Sequence, residues 1–132
     1  MKSAASVRFL LVLNAVFGLG AGVGLAVLPE LFLSTLGLQT DQVGTAFARL
    51  YGAELIGFNI ATWLTRNDWP PSTPIVRGHI ANEGLTAVVA AAAGASGLGN
   101  LLVWGLAALA ALFSLGYLTV ALQRDGGGLA KG

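Results

Sequence analysis

The chain has 132 residues, a length that fits one domain. Hydrophobic residues make up 55% of it and charged residues only 10%, well below the roughly 25% of a soluble domain, so this composition cannot cover a water-facing surface. Disulfides, thiolate metal sites and cysteine nucleophiles are excluded because the chain has no cysteine, and a net charge of +1 gives no basis for nucleic-acid binding.

Four segments are candidates for membrane-spanning helices, which need about 20 mostly apolar residues. They cover approximately residues 7–28, 44–64, 75–95 and 101–122. The sequence therefore predicts an all-α fold, a four-transmembrane-helix bundle that forms a single domain over residues 1–123, with a flexible tail at 124–132. The first segment could instead be a cleaved signal peptide, but it is longer than a typical signal-peptide core and no clean A-x-A site follows it.

A glycine-rich run, GLGAGVG, lies inside the first span. A dinucleotide-binding glycine loop follows a strand and opens a helix, so a position within an apolar helix argues against nucleotide binding. Gly18 and Gly22 form one small-residue pair, and Gly20 and Gly24 form another. Because the two pairs fall on nearly opposite sides of a helix, we expect this span to be packed closely on two sides.

The loop after the first span reads PELFLSTLGLQTD. Pro29 suits the first position of a helix and Gly37 suits a C-terminal cap. Leu31, Phe32 and Leu36 supply an apolar side. This pattern predicts a short helix lying in the membrane interface, with an irregular loop as the alternative.

The second span carries three costly polar groups, Arg49, Glu54 and Asn59. Its helical periodicity groups the residues into arcs of shared direction. Two arcs are expected to face protein, one with Arg49, Gly52, Ile56, Asn59 and Trp63 and one with Ala46, Ala53, Gly57 and Ala61, with Glu54 at the edge of the second. The remaining arc is expected to face lipid and holds Phe47, Tyr51, Leu55 and Phe58.

Arg49 and Glu54 lie five residues apart, about 140° around a helix, so they cannot pair within one helix as i,i+4 neighbours do. Each therefore needs a partner elsewhere. For Arg49 the candidates are a carboxylate, the outer headgroups or free carbonyls at a helix end, and its depth favours Glu54 of a neighbouring subunit or the outer headgroups over Glu83. A homo-oligomer within the lipid bilayer is one prediction that follows.

In the third span the polar side chains share one narrow stripe: His79, Asn82, Glu83, Thr86, Ala90, Ala93 and Gly97. The opposite side holds Ile80, Leu85, Val88 and Ala92. Polar residues on one stripe of an apolar helix belong against other helices. His79 and Glu83 are i,i+4 neighbours, so we expect both to face the interior and to share a hydrogen bond.

Depth along the four helices predicts a polar layer inside the bundle. Helix rise brings Asn14, Asn59, Glu83 and Ser114 to one level, and His79 and Tyr117 to the next level toward the cytoplasm, with Asn82 beside them. With both carboxylates ionised and His79 neutral, the interior would carry one positive and two negative charges. We therefore expect one carboxyl to be protonated, or His79 to carry a proton.

Two functions fit this layer. In the first, Glu54, His79 and Glu83, with Arg49, bind or pass a small ligand or a proton. In the second, the protein is a structural or accessory subunit whose buried polar groups only fix helix packing. A third class, an enzyme, is disfavoured because a lone histidine without cysteine or a Glu-x-x-His pair builds neither a di-iron site nor a zinc hydrolase. No metal or cofactor is expected, since one histidine could ligate haem only with a non-histidine axial partner or a second subunit's histidine.

Basic residues are distributed unevenly among the loops. Six of the seven fall on one side if both termini are cytoplasmic: Lys2, Arg8, Arg66, Arg77, Arg124 and Lys131. The opposite loops carry Glu30 and Asp41. Because lysine and arginine stay in the cytoplasm, this bias predicts a multi-pass protein of the plasma membrane with cytoplasmic N- and C-termini. Trp63 and Trp69 would lie near the cytoplasmic interface and Trp104 near the outer one.

The first half of the chain resembles a domain-of-unknown-function family of small bacterial four-helix membrane proteins. The resemblance lies in LNAVFGLGAGVGLAVLPELFLSTLGL and RLYGAELIGFNIATWLTR, within residues 11–66. The shared pattern is a span ending in Leu-Pro-Glu, a loop helix ending in Gly, and an Arg-x-x-Gly span ending in Trp and Arg: here Leu28, Pro29, Glu30, Gly37, Arg49, Gly52, Trp63 and Arg66. The resemblance implies a four-span fold and no particular activity. The chain lacks the first-helix glutamate of small multidrug exporters and the pattern of small fluoride channels.

Overall fold

The computed structural model describes residues 3–127, and within them every regular element is a helix. The elements are α1 Ala4–Val27, α2 Pro29–Thr35, α3 Gln42–Leu64, α4 Thr73–Ala95 and α5 Leu101–Asp125. The all-α prediction is confirmed, and α1, α3, α4 and α5 match the four predicted segments. α5 continues to Asp125, so residues 124 and 125, predicted to belong to the flexible tail, are helical, and residues 128–132 lie outside the described part.

Polar side chains begin three of the four long helices. The hydroxyl of Ser3 accepts a hydrogen bond from the Ser6 amide of α1 at 3.2 Å. Asp41 accepts from Gly44 at the start of α3 at 2.8 Å. Asn100 accepts from Leu102 at the start of α5 at 2.9 Å. Each cap satisfies an amide that the first turn of a helix leaves without a partner.

The short helix predicted after the first span is α2. Pro29 occupies its first position. Gly37 ends it with a φ of 71°, a left-handed conformation that favours glycine. The amides of Gly37 and Leu38 donate to the carbonyls of Ser34 and Leu33, both at 2.9 Å, which is the Schellman pattern. The segment is therefore a helix, as predicted, and the alternative of an irregular loop is wrong.

The long helices form two pairs, α1 with α3 and α4 with α5. Glycine allows the first pair to approach closely. A Cβ atom at Gly52 would lie 2.6 Å from the Ala26 amide nitrogen and 2.7 Å from the Gly22 carbonyl oxygen. A Cβ at Gly18 would overlap the side-chain amide of Asn59. The backbones of α1 and α3 therefore touch, as small-residue pairs permit.

The second glycine pair of α1 behaves differently from the expectation. Gly24 packs against the Phe32 ring of α2, where a Cβ would lie 2.5 Å from the ring. A Cβ at Gly20 would have no neighbour within 4 Å. α1 is thus packed closely against α3 at Gly18 and Gly22, and against α2 at Gly24. The expectation of a second closely packed side was wrong at Gly20, which has no such neighbour.

The rotation of α3 also differs from the predicted one. Leu55, expected to face lipid, is 7% exposed. Phe58, expected there too, lies beside His79, with ring centroids 4.5 Å apart. In exchange Ala53 and Gly57, expected to face protein, are exposed. The physical reason is the contact of α3 with Gly18 and Gly22, which fixes the buried side of the helix on Gly52 and Asn59.

A cluster of apolar side chains joins the two pairs at one end. α1 contributes Val7 and Leu11, α4 contributes Val76, and α5 contributes Phe113, Tyr117 and Val120. At the same end Arg124 donates to the Pro71 carbonyl oxygen, and Arg77 lies 3.8 Å from Asp125. The N-termini of α1 and α4 and the C-terminus of α5 therefore lie at the same end of the bundle.

By length and composition, α1 and α5 could cross a membrane. Only 28% of the most apolar window of each is buried in the fold. Among the described residues, α3 and α4 do not reach the same hydropathy, because both carry charged and amide side chains. In the described part of the chain, α1 and α5 are therefore the two candidate membrane spans.

The close approach of α1 and α3 predicts a position-specific effect of alanine. Gly52→Ala should lower the free energy of unfolding by about 1–3 kcal/mol, because the new methyl meets backbone atoms that cannot rotate away. The matched control is Gly105→Ala on α5, where a Cβ meets nothing within 4 Å. Thermal or denaturant unfolding of the purified protein measures both. Equal stability of the two variants would contradict the close contact.

Candidate functional site

His79 of α4 is fully buried where three helices meet. Its ring stacks on Tyr117 of α5 at 4.5 Å between centroids and 8° between planes. On the α3 side the ring meets Phe58, also at 4.5 Å but tilted by 44°. An imidazole between two aromatic rings is held in one orientation. The ring orientation fixes where its two nitrogens point.

The Nε2 atom of His79 lies 2.7 Å from the hydroxyl of Thr62 on α3. The same hydroxyl lies 3.0 Å from the Phe58 carbonyl oxygen, to which it can donate. A hydroxyl has one proton. If Thr62 donates to Phe58, the His79 Nε2 must carry a proton and donate to Thr62. If Thr62 donates to Nε2, the proton of a neutral ring sits on Nδ1.

The Nδ1 atom of His79 has no hydrogen bond among the described residues. It lies 3.8 Å from Oε1 of Glu83. That separation is too long for a hydrogen bond and too short to admit a water between the two atoms. The hydrogen bond expected between His79 and Glu83 is therefore not formed, although the two side chains lie side by side.

Glu83 bridges the two helix pairs. Its Oε1 accepts a hydrogen bond of 2.8 Å from the Asn14 amide on α1, and Asn14 is itself buried. The Glu83 side chain is 14% exposed. Among the described residues no hydrogen bond reaches its other carboxylate oxygen. This oxygen is an acceptor available to a ligand.

Beside Glu83 lies a cavity of about 410 Å³ between the two helix pairs. This volume falls in the range of small-molecule sites. The polar lining is confined to a few residues: Asn14, Tyr51, Asn82, Glu83 and Thr86. The apolar lining includes Phe17, Leu25, Phe32, Leu36, Leu55, Leu106 and Phe113. An apolar chamber with a few convergent polar groups is the usual form of a ligand site.

A larger hollow, about 720 Å³, lies between the start of α1 and the α3–α4 loop. Its charged lining is Arg8, Arg66 and Asp68. It reaches neither Glu83 nor His79, and we place the candidate site in the smaller cavity, where the buried polar groups converge.

The other residues of the predicted polar layer take separate positions. Asn59 donates to the Leu55 carbonyl oxygen of its own helix at 2.9 Å. Ser114 donates across to the Ile80 carbonyl oxygen of α4 at 3.0 Å. Tyr117 supports the ring of His79, and its hydroxyl has no hydrogen bond among the described residues. Asn82 lines the cavity.

Arg49 and Glu54 are not part of this site. Both are exposed on the outer side of α3, and neither has an ion pair among the described residues. The sequence predicted an arginine, two carboxylates and a histidine in the interior. Of these four ionisable side chains, the structure places only Glu83 and His79 there. Pairing of Arg49 with a neighbouring subunit stays a prediction.

Two residues of the site escape sequence reasoning. Threonine is common in membrane helices, so Thr62 did not stand out by its type. Its position three residues after Asn59, on the same side of α3, was the signal that could have found it. Phe58 belongs to the arc that was expected to face lipid. No group of three or more histidine, cysteine or acidic side chains in the described residues could hold a metal ion.

Comparison of the chain with protein-family models, with curated proteins and with solved structures finds no match. The resemblance of residues 11–66 to small four-helix membrane proteins stays a prediction. The chemistry of the cavity is therefore the basis for a function.

The hydrogen bonds around His79 predict unequal effects of two conservative changes. Thr62→Val should lower the free energy of unfolding by about 1–3 kcal/mol, because it leaves the buried Nε2 without a partner. Tyr117→Phe should cost little, since it keeps the stacked ring and removes a hydroxyl that has no hydrogen bond among the described residues. Denaturant unfolding measures the difference. A cost at Tyr117 as large as that at Thr62 would show that the phenol hydroxyl has a partner.

Proposed function

We propose that the protein is a four-span membrane protein that binds a small lipophilic molecule bearing a hydrogen-bond donor, an amine above all, in the cavity beside Glu83. The proposal has two parts, membrane insertion and ligand chemistry, and each has its own support and its own test.

Membrane insertion is supported by the surface of all four long helices. Large apolar side chains remain exposed on each of them, among them Phe9 at 66%, Phe47 at 67%, Val88 at 67% and Leu112 at 67%. A soluble domain of this size would hide such groups or present them as a limited patch. Lipid is the surrounding that suits them. The interior site then accounts for the lower hydropathy of α3 and α4, because their polar groups point partly inward.

Orientation is supported by the position of the basic residues. Arg66 and Arg8 line the same hollow at one end of the bundle, and Arg77 and Arg124 lie at that end through their contacts with Asp125 and Pro71. Arg66 also stacks over the Trp63 ring at 4.1 Å, a cation–π contact typical of an interface. This end is the cytoplasmic one by the positive-inside rule. α2 then lies at the outer interface.

The single observation that carries the ligand proposal is the Glu83 carboxylate in the wall of a largely apolar cavity. Asn14 supplies one hydrogen bond to Oε1. The second oxygen remains an acceptor. A cationic or donor head group there gains a charge-assisted hydrogen bond, and the aromatic rings of Phe17 and Phe113 accept its apolar body. The buried position of the carboxylate makes a partner of this kind valuable.

Proton passage is the second candidate, favoured by the Glu83–His79–Thr62 series. Oε1, Nδ1, Nε2 and a hydroxyl follow one another with separations of 3.8 Å and 2.7 Å. The two candidates share Glu83. A purely structural role for the polar groups would leave them fully paired, whereas the His79 Nδ1 and the Tyr117 hydroxyl lack hydrogen bonds among the described residues.

Topology has a direct test. A reporter active only in the cytoplasm should be active after residue 132, and a reporter active only outside should be active in the loop at residues 95–100. Both outcomes follow from the basic residues at one end. An external C-terminus would overturn the four-span orientation.

Ligand chemistry is tested with decylamine and decanol, which differ only in the head group. Native mass spectrometry or a thermal shift in detergent should show decylamine binding more tightly. Glu83→Gln should weaken decylamine binding about 10- to 100-fold, the equivalent of the roughly 1.5–3 kcal/mol of a hydrogen bond to a charged group, and leave decanol unchanged. Gln keeps the shape of the side chain and can still accept from Asn14.

The control for this experiment is Glu30→Gln, a charge removal at an exposed position on α2 that does not line the cavity. It should bind both probes as the wild type does. Equal loss in the two variants, or equal binding of the two probes by the wild type, would refute the role of Glu83. Proton uptake by liposomes that is lost in Glu83→Gln without any amine binding would replace the first candidate by the second.

A further inference from the structure

The outer side of α3 carries a regular line of exposed residues. It consists of Ala46, Leu50, Ala53, Gly57, Ile60 and Leu64, all exposed. Leu50 and Leu64 are 67% and 71% exposed, and a Cβ at Gly57 would meet nothing within 4 Å. The spacing alternates between four and three residues over the whole helix. That alternation is the repeat by which two helices pack along a common seam.

Two opposite charges flank this line. At about 100° per residue, Arg49 lies on one side of the line and Glu54 on the other. Both are exposed, and neither has an ion pair among the described residues. Glu54 is close to the middle of α3, which runs Gln42–Leu64. In the proposed membrane an unpaired carboxylate at that depth is costly, and so is an arginine one turn away.

We propose that this side of α3 is the interface of a parallel homodimer, closed by ion pairs between Arg49 of each subunit and Glu54 of the partner subunit. In a heptad repeat abcdefg, the residues of this line occupy positions a and d, which form the seam between two helices. Arg49 takes the position just before a seam residue, and Glu54 takes the position just after the next one. In a parallel two-helix seam these flanking positions, five residues apart, face each other across the dimer and set partner and orientation.

The distances allow the pairing. Five residues separate the two side chains by about 7.5 Å along the axis, which an arginine and a glutamate side chain bridge together. A twofold axis repeats the pair, so both charges of each subunit find a partner. The small seam residues Ala46, Ala53 and Gly57 let the two backbones approach, as in other membrane helix pairs.

A second copy fits this surface better than lipid does. Headgroups can take the arginine, but they leave the glutamate at mid-depth without a partner. The surface is complementary to itself, since it offers one positive and one negative group at the matching spacing. The parallel direction rests on the proposed membrane insertion, because copies inserted the same way cannot pack α3 antiparallel. The cavity residues take no part in the seam.

Charge exchange tests the pairing. Arg49→Glu and Glu54→Arg each place like charges across the seam, and each should raise the dimer dissociation constant tenfold or more, measured by subunit exchange between labelled proteins in liposomes. The double variant restores opposite charges and should restore the dimer. A wild type that stays monomeric, or single variants that dimerise as the wild type does, would overturn the proposal.

Cysteine cross-linking tests the same interface without altering the charges. The natural chain has no cysteine, so a single Gly57→Cys reports only its own neighbours. In a parallel dimer each such cysteine faces its symmetry mate, and mild oxidation should yield a cross-linked dimer. Gly105→Cys on α5, also in open space, should stay uncross-linked. Equal cross-linking at both positions would overturn the seam, while decylamine binding would be unaffected and would judge the ligand proposal separately.

Discussion

The hydrogen bond from Asn14 to Glu83 is the contact on which the arrangement of this protein depends. Each helix pair is held by its own close packing, α1 on α3 and α4 on α5. Between the long helices of the two pairs the polar side-chain contacts are few: Asn14 with Glu83 at 2.8 Å, Thr62 with His79 at 2.7 Å, and Tyr51 with Thr86 at 3.4 Å. Asn14, Thr62 and His79 are buried and cannot turn to water instead, so these bonds favour one relative position of the pairs. The cavity is the space that this position leaves open.

Sequence periodicity predicts the interior face of α4 well and that of α3 poorly, for a physical reason. On α4 the polar residues all share one stripe, so burying His79 and Glu83 settles the rotation of the helix. α3 has polar or small residues on most of its circumference, and periodicity gives only relative angles. Its rotation is decided by the glycine contacts of Gly18 and Gly22 on α1. Those contacts belong to the tertiary structure and cannot be derived from periodicity. Thr62 was missed for the same reason, because its burial depends on the rotation of α3.

The rotation of α3 against α1 also explains why its two charged residues are exposed. Depth and electroneutrality predict that Arg49 and Glu54 need partners, and that part follows from solvation alone. Which side they face does not follow. Once Gly52 and Asn59 are buried against α1, the two charges turn outward together with the small residues of their side. The buried polar residues of α3 and its two exposed charges are thus two consequences of one helix rotation.

The link between α2 and the start of α5 bears on how fast a guest can exchange. Asn100 donates from its backbone to the Leu36 carbonyl oxygen at 2.8 Å and from its side chain to Thr35 at 2.9 Å. The helix α2 places Phe32 in the wall of the cavity. Besides the packing of Phe32 on Gly24, the two hydrogen bonds of Asn100 therefore hold α2 over the cavity. For the ligand proposed in the cavity, the Asn100 hydrogen bonds would bear on the residence time and the Glu83 carboxylate on the equilibrium occupancy.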